Sequence, residues 1–570
     1  MDFKTAVASE ILTAMNTAFE GAELPEIGTV AGALEVPPDT ALGDYAFPCF
    51  KLSKSLRKSP IMIADALAGA IHADFLGKVE SVRGYLNFFI DKATYAEKVL
   101  SLALEAGEAY GSDNSGEGKT VVLDYSSINI AKRFHIGHLS TTMIGNSLYR
   151  LHKFFGWRAV GVNHLGDWGT QFGKMIAAYK RWGDHDTVAQ GGVDEMVKLY
   201  VRFNEEAKAN EALNDEGRAW FKKIEDGDAE ALEIFGWFKS VTLKDAERVY
   251  DLLGVKFDSY AGESFYNDKM EPVIQILRDK GLLKEDQGAQ IVDLSDWGMP
   301  PALILRSDGA TLYMTRDLAA AKYRKDTYNF DKSLYVVAYQ QDLHFRQLFK
   351  VLELMGYDWA KDCEHVAFGM VSFEGGALST RQGHVVYLDD LLHQAIDKAR
   401  AIIEEKSPDL ENKDEVARQI GIGAVVFFDL YNNRIKDIDF TWERALNFDG
   451  ETGPYVMYTH ARACSVLRKA GSESAAPDFA ALTDPYSQDV VRLIEQFPDI
   501  LKSAVNRSEP SMVTRFAVDL AQAFNKFYYE NKVMVEDGGV RAARLLLTDA
   551  VRQVLKQALY LIGVEAPERM

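Results

Sequence analysis

A chain of 570 residues is too long for one hydrophobic core and is expected to divide into roughly three or four domains. With 47% hydrophobic and 26% charged residues and no uninterrupted apolar run near the roughly 18 residues a membrane span needs, it reads as a globular cytoplasmic protein without a membrane partner. A formal charge of −20 excludes indiscriminate affinity for nucleic acid, although a local basic surface could still hold one RNA, and the three scattered cysteines, Cys49, Cys363 and Cys464, exclude a disulfide framework.

The opening "MDFKTAVASEILTAMNTAFEGAEL" spaces its apolar residues as a helix does and has no small-residue cleavage site after an apolar run. "SPIMIADALAGAIH" predicts a further helix and "YLNFFID" a strand, so residues 1–110 form a small α+β domain. The polar string "GSDNSGEGK", 111–119, is a linker. "TVVLDYS" is then a buried strand, "GHLSTTMIGNSLYRLHKFFG" a helix and "WRAVGVNHLG" the next strand, which together make a parallel βαβ unit. A Glu- and Lys-rich helical stretch from about 190 to 290 reads as an insertion, after which "PALILRSDGATLYMTRDLAAAKYR" and "SLYVVAYQQDLHFRQLFKVLELMG" resume the alternation. The expected second domain, 118–395, is therefore α/β with a doubly wound parallel sheet. Past residue 395 strand signals fade, and patterns such as "GPYVMYTHARACSVLRKA" predict an all-α bundle over 396–570.

The stretch "SSINIAKRFHIGHLS", 126–140, occupies the turn after that domain's first strand, where a helix begins. Doubly wound sheets hold ligands at the carboxyl ends of their strands, and a helix N-terminus presents N–H groups and partial positive charge to phosphate. His135 and His138 would flank the phosphates, and Gly137 has no side chain to hold an adenine off the backbone. Two other readings stay open for histidines at i and i+3: a hydrogen-bonded structural pair, or two ligands of a zinc ion. Zinc needs at least one ligand more, for which His164 and Asp167 are candidates without a signature spacing.

"SSINIAKRFHIGHL" resembles the HIGH signature of class I aminoacyl-tRNA synthetases, and its "NIAK" resembles the arginyl-tRNA synthetase version. "NHLGDWGTQFGKMI" (163–176), "LYMTRDLAAAKYR" (312–324), "YQQDLHFRQLF" (339–349) and "NFDGETGPYVMYTHARACSVLRKA" (447–470) look like the same family, in the same order. So do "GDYAFPCFKLSK" and "GYLNFFI" of the extra N-terminal domain, and the closing "ERM". The resemblance implies a tRNA-binding N-terminal domain, a Rossmann-like HIGH-type nucleotidyl transferase domain and a helical anticodon-binding domain.

The implied reaction has two steps. The α-carboxylate of L-arginine attacks the α-phosphorus of ATP, which arrives with Mg2+, to give arginyl-adenylate and pyrophosphate. A terminal ribose hydroxyl of tRNA(Arg) then takes the arginyl group. No enzyme nucleophile, tightly bound cofactor or zinc is expected, and catalysis rests on positioning and charge stabilisation. A planar, permanently charged guanidinium calls for forked acceptors. Tyr313 and Asp317, four apart and so on one helix face, match the family's arginine-binding pair. Asp124 and Asn129 match further arginine contacts, and Gln341 a contact to the substrate's carboxylate or amino end.

The second class I signature, usually KMSKS, is reduced to "ALSTR" at 377–381: Ser379 aligns, Arg381 is a cation, and both lysines are gone. In arginyl enzymes so altered a lysine just before HIGH can supply the charge, and Lys132 holds that place. Ile128, Arg133, Ser140 and Gln382 stand where the family usually has Pro, Pro, Arg and Lys. Tyr455, Tyr458, His460 and Arg462 are implied tRNA contacts, since unstacked bases meet aromatics and arginines, though the same series suits a helix core. A monomer is expected. The altered second signature and the acidic charge leave an alternative of another class, a catalytically inactive homologue that binds RNA or protein.

Overall fold

A computed structural model describes residues 3–19, 21, 24–307, 309–374, 386–471 and 475–570. Two compact units emerge: one holds the chain up to Tyr110 with Arg462–Phe497 and Asp519–Val554, the other Gly111–Ala461 with Pro498–Val518 and Leu555–Met570. The helices Gly453–Ala470, Pro485–Asn506, Ser511–Glu530 and Gly538–Leu561 each contribute to both.

In the first unit Tyr85–Ile90 is the middle strand of a three-stranded antiparallel sheet, between Tyr45–Pro48 and Leu76–Val82. Phe3–Ala18 buries Val7, Ile11 and Met15 along one face, and Pro60–Ala70 buries Ile63 and Leu67. Ser59 caps the latter helix by accepting from the Met62 N–H at 3.3 Å, with Pro60 already holding a helical φ. The Tyr95 hydroxyl donates to Glu495 at 2.5 Å and that of Tyr110 to the Ile494 carbonyl at 2.9 Å, so this unit closes through hydrogen bonds between distant parts of the chain.

The second unit is built on four parallel strands in the order Cys363–His365, Lys332–Tyr335, Thr120–Asp124, Arg158–Val162. Thr120–Asp124 is buried at every position, as parallel strands covered on both faces are, and its middle, "VVL", is an uninterrupted apolar run. The second strand in the chain lies on one side of the first and the third on the other. The winding therefore reverses beside Thr120–Asp124, and the crevice at the carboxyl ends there is where doubly wound proteins hold ligands.

Two sequence expectations are corrected. "PALIL" does not resume the parallel sheet: Ala302–Leu305 is the third strand of a separate antiparallel sheet with Leu283–Asp286 and Ala289–Val292. A two-residue turn at Gln287 and Gly288, with φ of 49° and 81°, folds the first two strands into a hairpin, and the next apolar segment adds to its edge. A strand also follows residue 395, where Ile438–Phe440 pairs in parallel with Val371–Phe373; three residues are too few to show a period. The helical stretch of the insertion comprises His185–Ala209, Ala212–Glu225, Ala229–Leu253 and Met270–Asp279, with Thr170–Trp182 just before it. Among the described residues no helix is long and apolar enough to cross a membrane. All three cysteines are buried, and burial pushes the thiols of Cys49 and Cys363 up to about 12.

Ser140, at the start of the helix Leu139–Phe154, donates to Asp429 Oδ1 at 2.5 Å from within the helix Lys413–Tyr431. Asp429 is 7% exposed, and burial pushes its carboxyl up to about 7 against the opposing Ser140 hydrogen bond. The folded state thus takes up a proton that an unfolded aspartate releases near pH 4, and stability present at low pH is lost as pH rises through about 7. At ~1.4 kcal/mol per pKa unit, the loss reaches ~4 kcal/mol. Asp429→Asn keeps the hydrogen bond and removes the titration, so urea unfolding at pH 5 and pH 8 should differ less in the variant than in the parent. An equal pH dependence in both proteins rules this out.

Candidate active site

Between the first strand and the HIGH helix the chain passes three times through the left-handed region, at Ser126 (φ 71°), Ser127 (φ 49°) and Ala131 (φ 62°). Non-glycine residues persist there only where their surroundings over-determine the backbone. The Ser126 N–H donates to Thr141 Oγ1 at 3.0 Å and the Ser127 hydroxyl to Asp124 Oδ1 at 3.0 Å. Ile130 and Gly166 complete a short bridge, the Ile130 N–H reaching the Gly166 carbonyl at 3.1 Å and the Gly166 N–H the Ile128 carbonyl at 2.9 Å. A Cβ at Gly166 would stand 2.3 Å from Asn129 Oδ1, so the glycine of "GDWG" makes room for the predicted Asn129, which is exposed.

The two signature histidines sit on the short 3-10 turn Ile136–His138 and its cap, ring centroids 3.9 Å apart. The Gly137 N–H donates to His135 Nδ1 at 3.1 Å and the His135 N–H to His138 Nδ1 at 3.3 Å. With each Nδ1 accepting, each neutral ring carries its proton on Nε2 and offers that N–H as a donor. Burial, with help from Lys132, holds His135 below the usual histidine range; burial, then His135 and Lys132, lower His138 to about 3. The pair is therefore neutral at pH 7. A Cβ at Gly137 would lie 2.9 Å from the His135 ring, which gives the glycine a role beside the one expected from sequence.

Lys132 is exposed and near enough for its charge to depress both histidines. Arg133 turns elsewhere, to Asp194 at 3.2 Å, Asp390 at 3.4 Å and the face of Tyr387 at 3.8 Å from its centroid. Ser379, Arg381 and Gln382 lie outside the described residues.

Tyr313 and Asp317 stand one turn apart at the start of the helix Tyr313–Tyr328, the tyrosine 69% exposed. Asp317 Oδ2 lies 2.6 Å from His344 Nε2, and the exposed Gln341 immediately precedes the helix Asp342–Leu354 that carries this histidine. A second carboxylate adjoins: Glu263, 3.7 Å from Arg316, is pushed up to about 7 by burial, with Arg316 opposing and the charges of Asp317 and Asp167 adding. Asp124 is committed to the protein itself, its Oδ2 2.8 Å from the wholly buried Arg324. His164, lowered by burial, lies 3.3 Å from Arg324 and within electrostatic reach of Asp124, Asp317 and Asp167. Asp167 pairs with Lys239 at 2.6 Å and accepts from the backbone and hydroxyl of Ser264 at 2.8 and 2.7 Å. His164 and Asp167 thus have protein partners, and among the described residues no three His, Cys, Asp or Glu side chains are grouped to hold a metal ion.

On the helix Gly453–Ala470, His460 is fully buried with Nδ1 2.9 Å from the Pro567 carbonyl, so its expected contact with tRNA is corrected: the ring belongs to the core. Tyr458 is 41% exposed, Tyr455 is half-buried, and Arg462 hydrogen-bonds Asn525 and lies over Tyr528.

Sequence reasoning missed Arg324, His344 and Glu263. The first two stand inside the family-like stretches, in "AAAKYR" and "DLHFRQ"; nothing local marks Glu263.

The family description "tRNA synthetases class I (R), catalytic domain" matches residues 99–442, "Arginyl tRNA synthetase N terminal domain" 4–90 and "DALR anticodon binding domain" 456–570. The arginine–tRNA ligase of Clostridioides difficile (strain 630) is 54% identical over 571 residues, covering 100% of both chains. That of Alkaliphilus metalliredigens (strain QYMF) is 53% identical over 573 residues, also covering 100% of both. The solved arginyl-tRNA synthetase of Thermus thermophilus superposes with a TM-score of 0.78 at 25% identity, again over 100% of both chains.

Proposed function

The chain belongs to the arginyl-tRNA synthetase family of class I tRNA synthetases, and we propose that it activates L-arginine with ATP and transfers the arginyl group to the 3′ end of tRNA(Arg). The observation that carries this reading is a pair of neutral imidazoles at a helix start, each accepting at Nδ1 and so left with an Nε2–H donor, within reach of the charge of Lys132. An inactive binding module has no need of that arrangement.

In this reading ATP, with Mg2+ as part of the substrate complex, lays its phosphates against His135, Gly137 and His138. Neutral donors can bind phosphate oxygens without holding the pyrophosphate as cations would, and Lys132 supplies the positive charge as the α-phosphorus is attacked. Ser379 and Arg381 come from the second signature. Asp317, with Tyr313 beside it and Glu263 adjoining, receives the guanidinium, while Asn129 and Gln341 hold the amino-acid end. Asp124 serves by anchoring Arg324 and the loop hydroxyl of Ser127. Tyr458, Tyr455 and Arg462 contact the tRNA, residues 1–110 add a second tRNA-binding surface, and the enzyme works as a cytoplasmic monomer.

The pocket's charge preference is tested by ATP–pyrophosphate exchange with tRNA present. L-arginine should support exchange, and citrulline, its neutral near-isostere, should be worse by roughly two orders of magnitude, because the charge-assisted bonds to Asp317 and its neighbouring carboxylate would be lost. Comparable exchange with citrulline contradicts the assignment.

A further inference from the structure

The strained loop 126–131 is held from a distance by one helix of the insertion. Within Ala229–Leu253, Thr242 is 2% exposed and its Oγ1 accepts from the N–H of Ala131 at 3.1 Å while donating to the Phe238 carbonyl at 3.0 Å. Ala131 is the left-handed residue immediately before Lys132. Two turns further along the same helix, the Tyr250 hydroxyl is 2.8 Å from Ser126 Oγ, at the other left-handed end of the loop, and accepts from Asn163 Nδ2 at 2.8 Å. Thr142, just past the HIGH sequence, donates to the same Ser126 hydroxyl at 2.9 Å. The Tyr250 ring also meets Phe134 edge-on, centroids 5.4 Å apart, and Phe134 stacks on His138 at 5.1 Å.

We propose that Thr242 and Tyr250 are positioning residues: the insertion helix braces both ends of the loop that carries Asn129 and Lys132, and so sets where the lysine's charge stands relative to the two histidines. Alanine in the left-handed region is held against its own preference, and the Thr242 hydroxyl is the partner of its N–H. Without that bond the loop relaxes toward ordinary backbone conformations and carries Lys132 away. The inference rests on the proposed activation of arginine, so the parent protein is assayed alongside each variant.

Thr242→Val replaces the hydroxyl by a methyl group of the same size. Arginine-dependent exchange should lose about tenfold in kcat, with the arginine KM changed less than about threefold and the melting temperature within about 2 °C of the parent. Thr242→Ser should restore kcat. Ala131→Gly added to Thr242→Val should also recover most of it, since glycine takes φ near +60° without a steric cost. A merely structural contact would lower the melting temperature without this rescue. An unchanged kcat in Thr242→Val, or a double variant no faster than the single one, overturns the proposal. Should Thr242→Val fail to fold, Tyr250→Phe carries the same expectation, a kcat about tenfold lower, and an unchanged kcat there overturns it equally. Absence of arginine-dependent exchange in the parent refutes instead the reading on which the proposal rests.

Discussion

Asp317→Asn should cost arginine recognition selectively. The substitution keeps the shape and an acceptor for His344, 2.6 Å away, but replaces the charged partner of a guanidinium with a neutral amide. Weakening one member of a desolvated charge pair costs about 2–3 kcal/mol, equivalent to a loss of roughly thirtyfold to a hundred-and-fiftyfold in kcat/KM for arginine. The KM for ATP should stay within about twofold, because nothing around Asp317 points to phosphate: its neighbours are His344 and, within electrostatic reach, Glu263 and His164. Saturation curves for arginine and ATP, taken side by side with tRNA present, separate this role from that of a surface helix residue paired with a histidine. An unchanged arginine kcat/KM removes Asp317 from the pocket.

Lys132→Ala should act on the other reactant. With both histidines neutral, Lys132 is the described cation closest in sequence to the HIGH turn that is not tied up as Arg133 is. Charge builds on the phosphate only as the α-phosphorus is attacked, so removing a cation that meets it there lowers kcat more than it weakens substrate binding. Losing one such stabilising group slows reactions on the order of a hundredfold. Pre-steady-state formation of arginyl-adenylate should fall by about that factor, with the arginine KM changed less than about threefold. Undiminished adenylate formation, together with its abolition by Arg381→Ala, transfers the role to Arg381.

What was legible in the sequence was local. "TVVLD" announces a strand covered on both faces because three successive positions, "VVL", are apolar, and the HIGH turn is one contiguous run whose backbone N–H groups find the histidines two or three residues away. What was not legible depends on segments far apart in the chain. Thr242 meets Ala131 across 111 positions, and Asp124 meets Arg324 through a buried ion pair that no spacing announces. The expectation that Asp124 contacts arginine was formed without sight of that partner. His460 failed for a related reason: a histidine on a helix with tyrosines is equally consistent with an RNA-facing stripe and a core, and only the approach of the Pro567 carbonyl from the C-terminus decides between them. "PALIL" has the composition of any buried strand, and it was the hairpin before it that fixed which sheet it joined.

The most direct test of the account is acceptance of labelled L-arginine by tRNA(Arg) with the full chain, ATP and Mg2+. Acid-precipitable arginyl-tRNA should accumulate in proportion to enzyme, require ATP, and not form with tRNAs of other specificity. A chain that binds tRNA(Arg) yet charges none of it, with ATP and arginine saturating, would contradict the account and leave a binding module in its place.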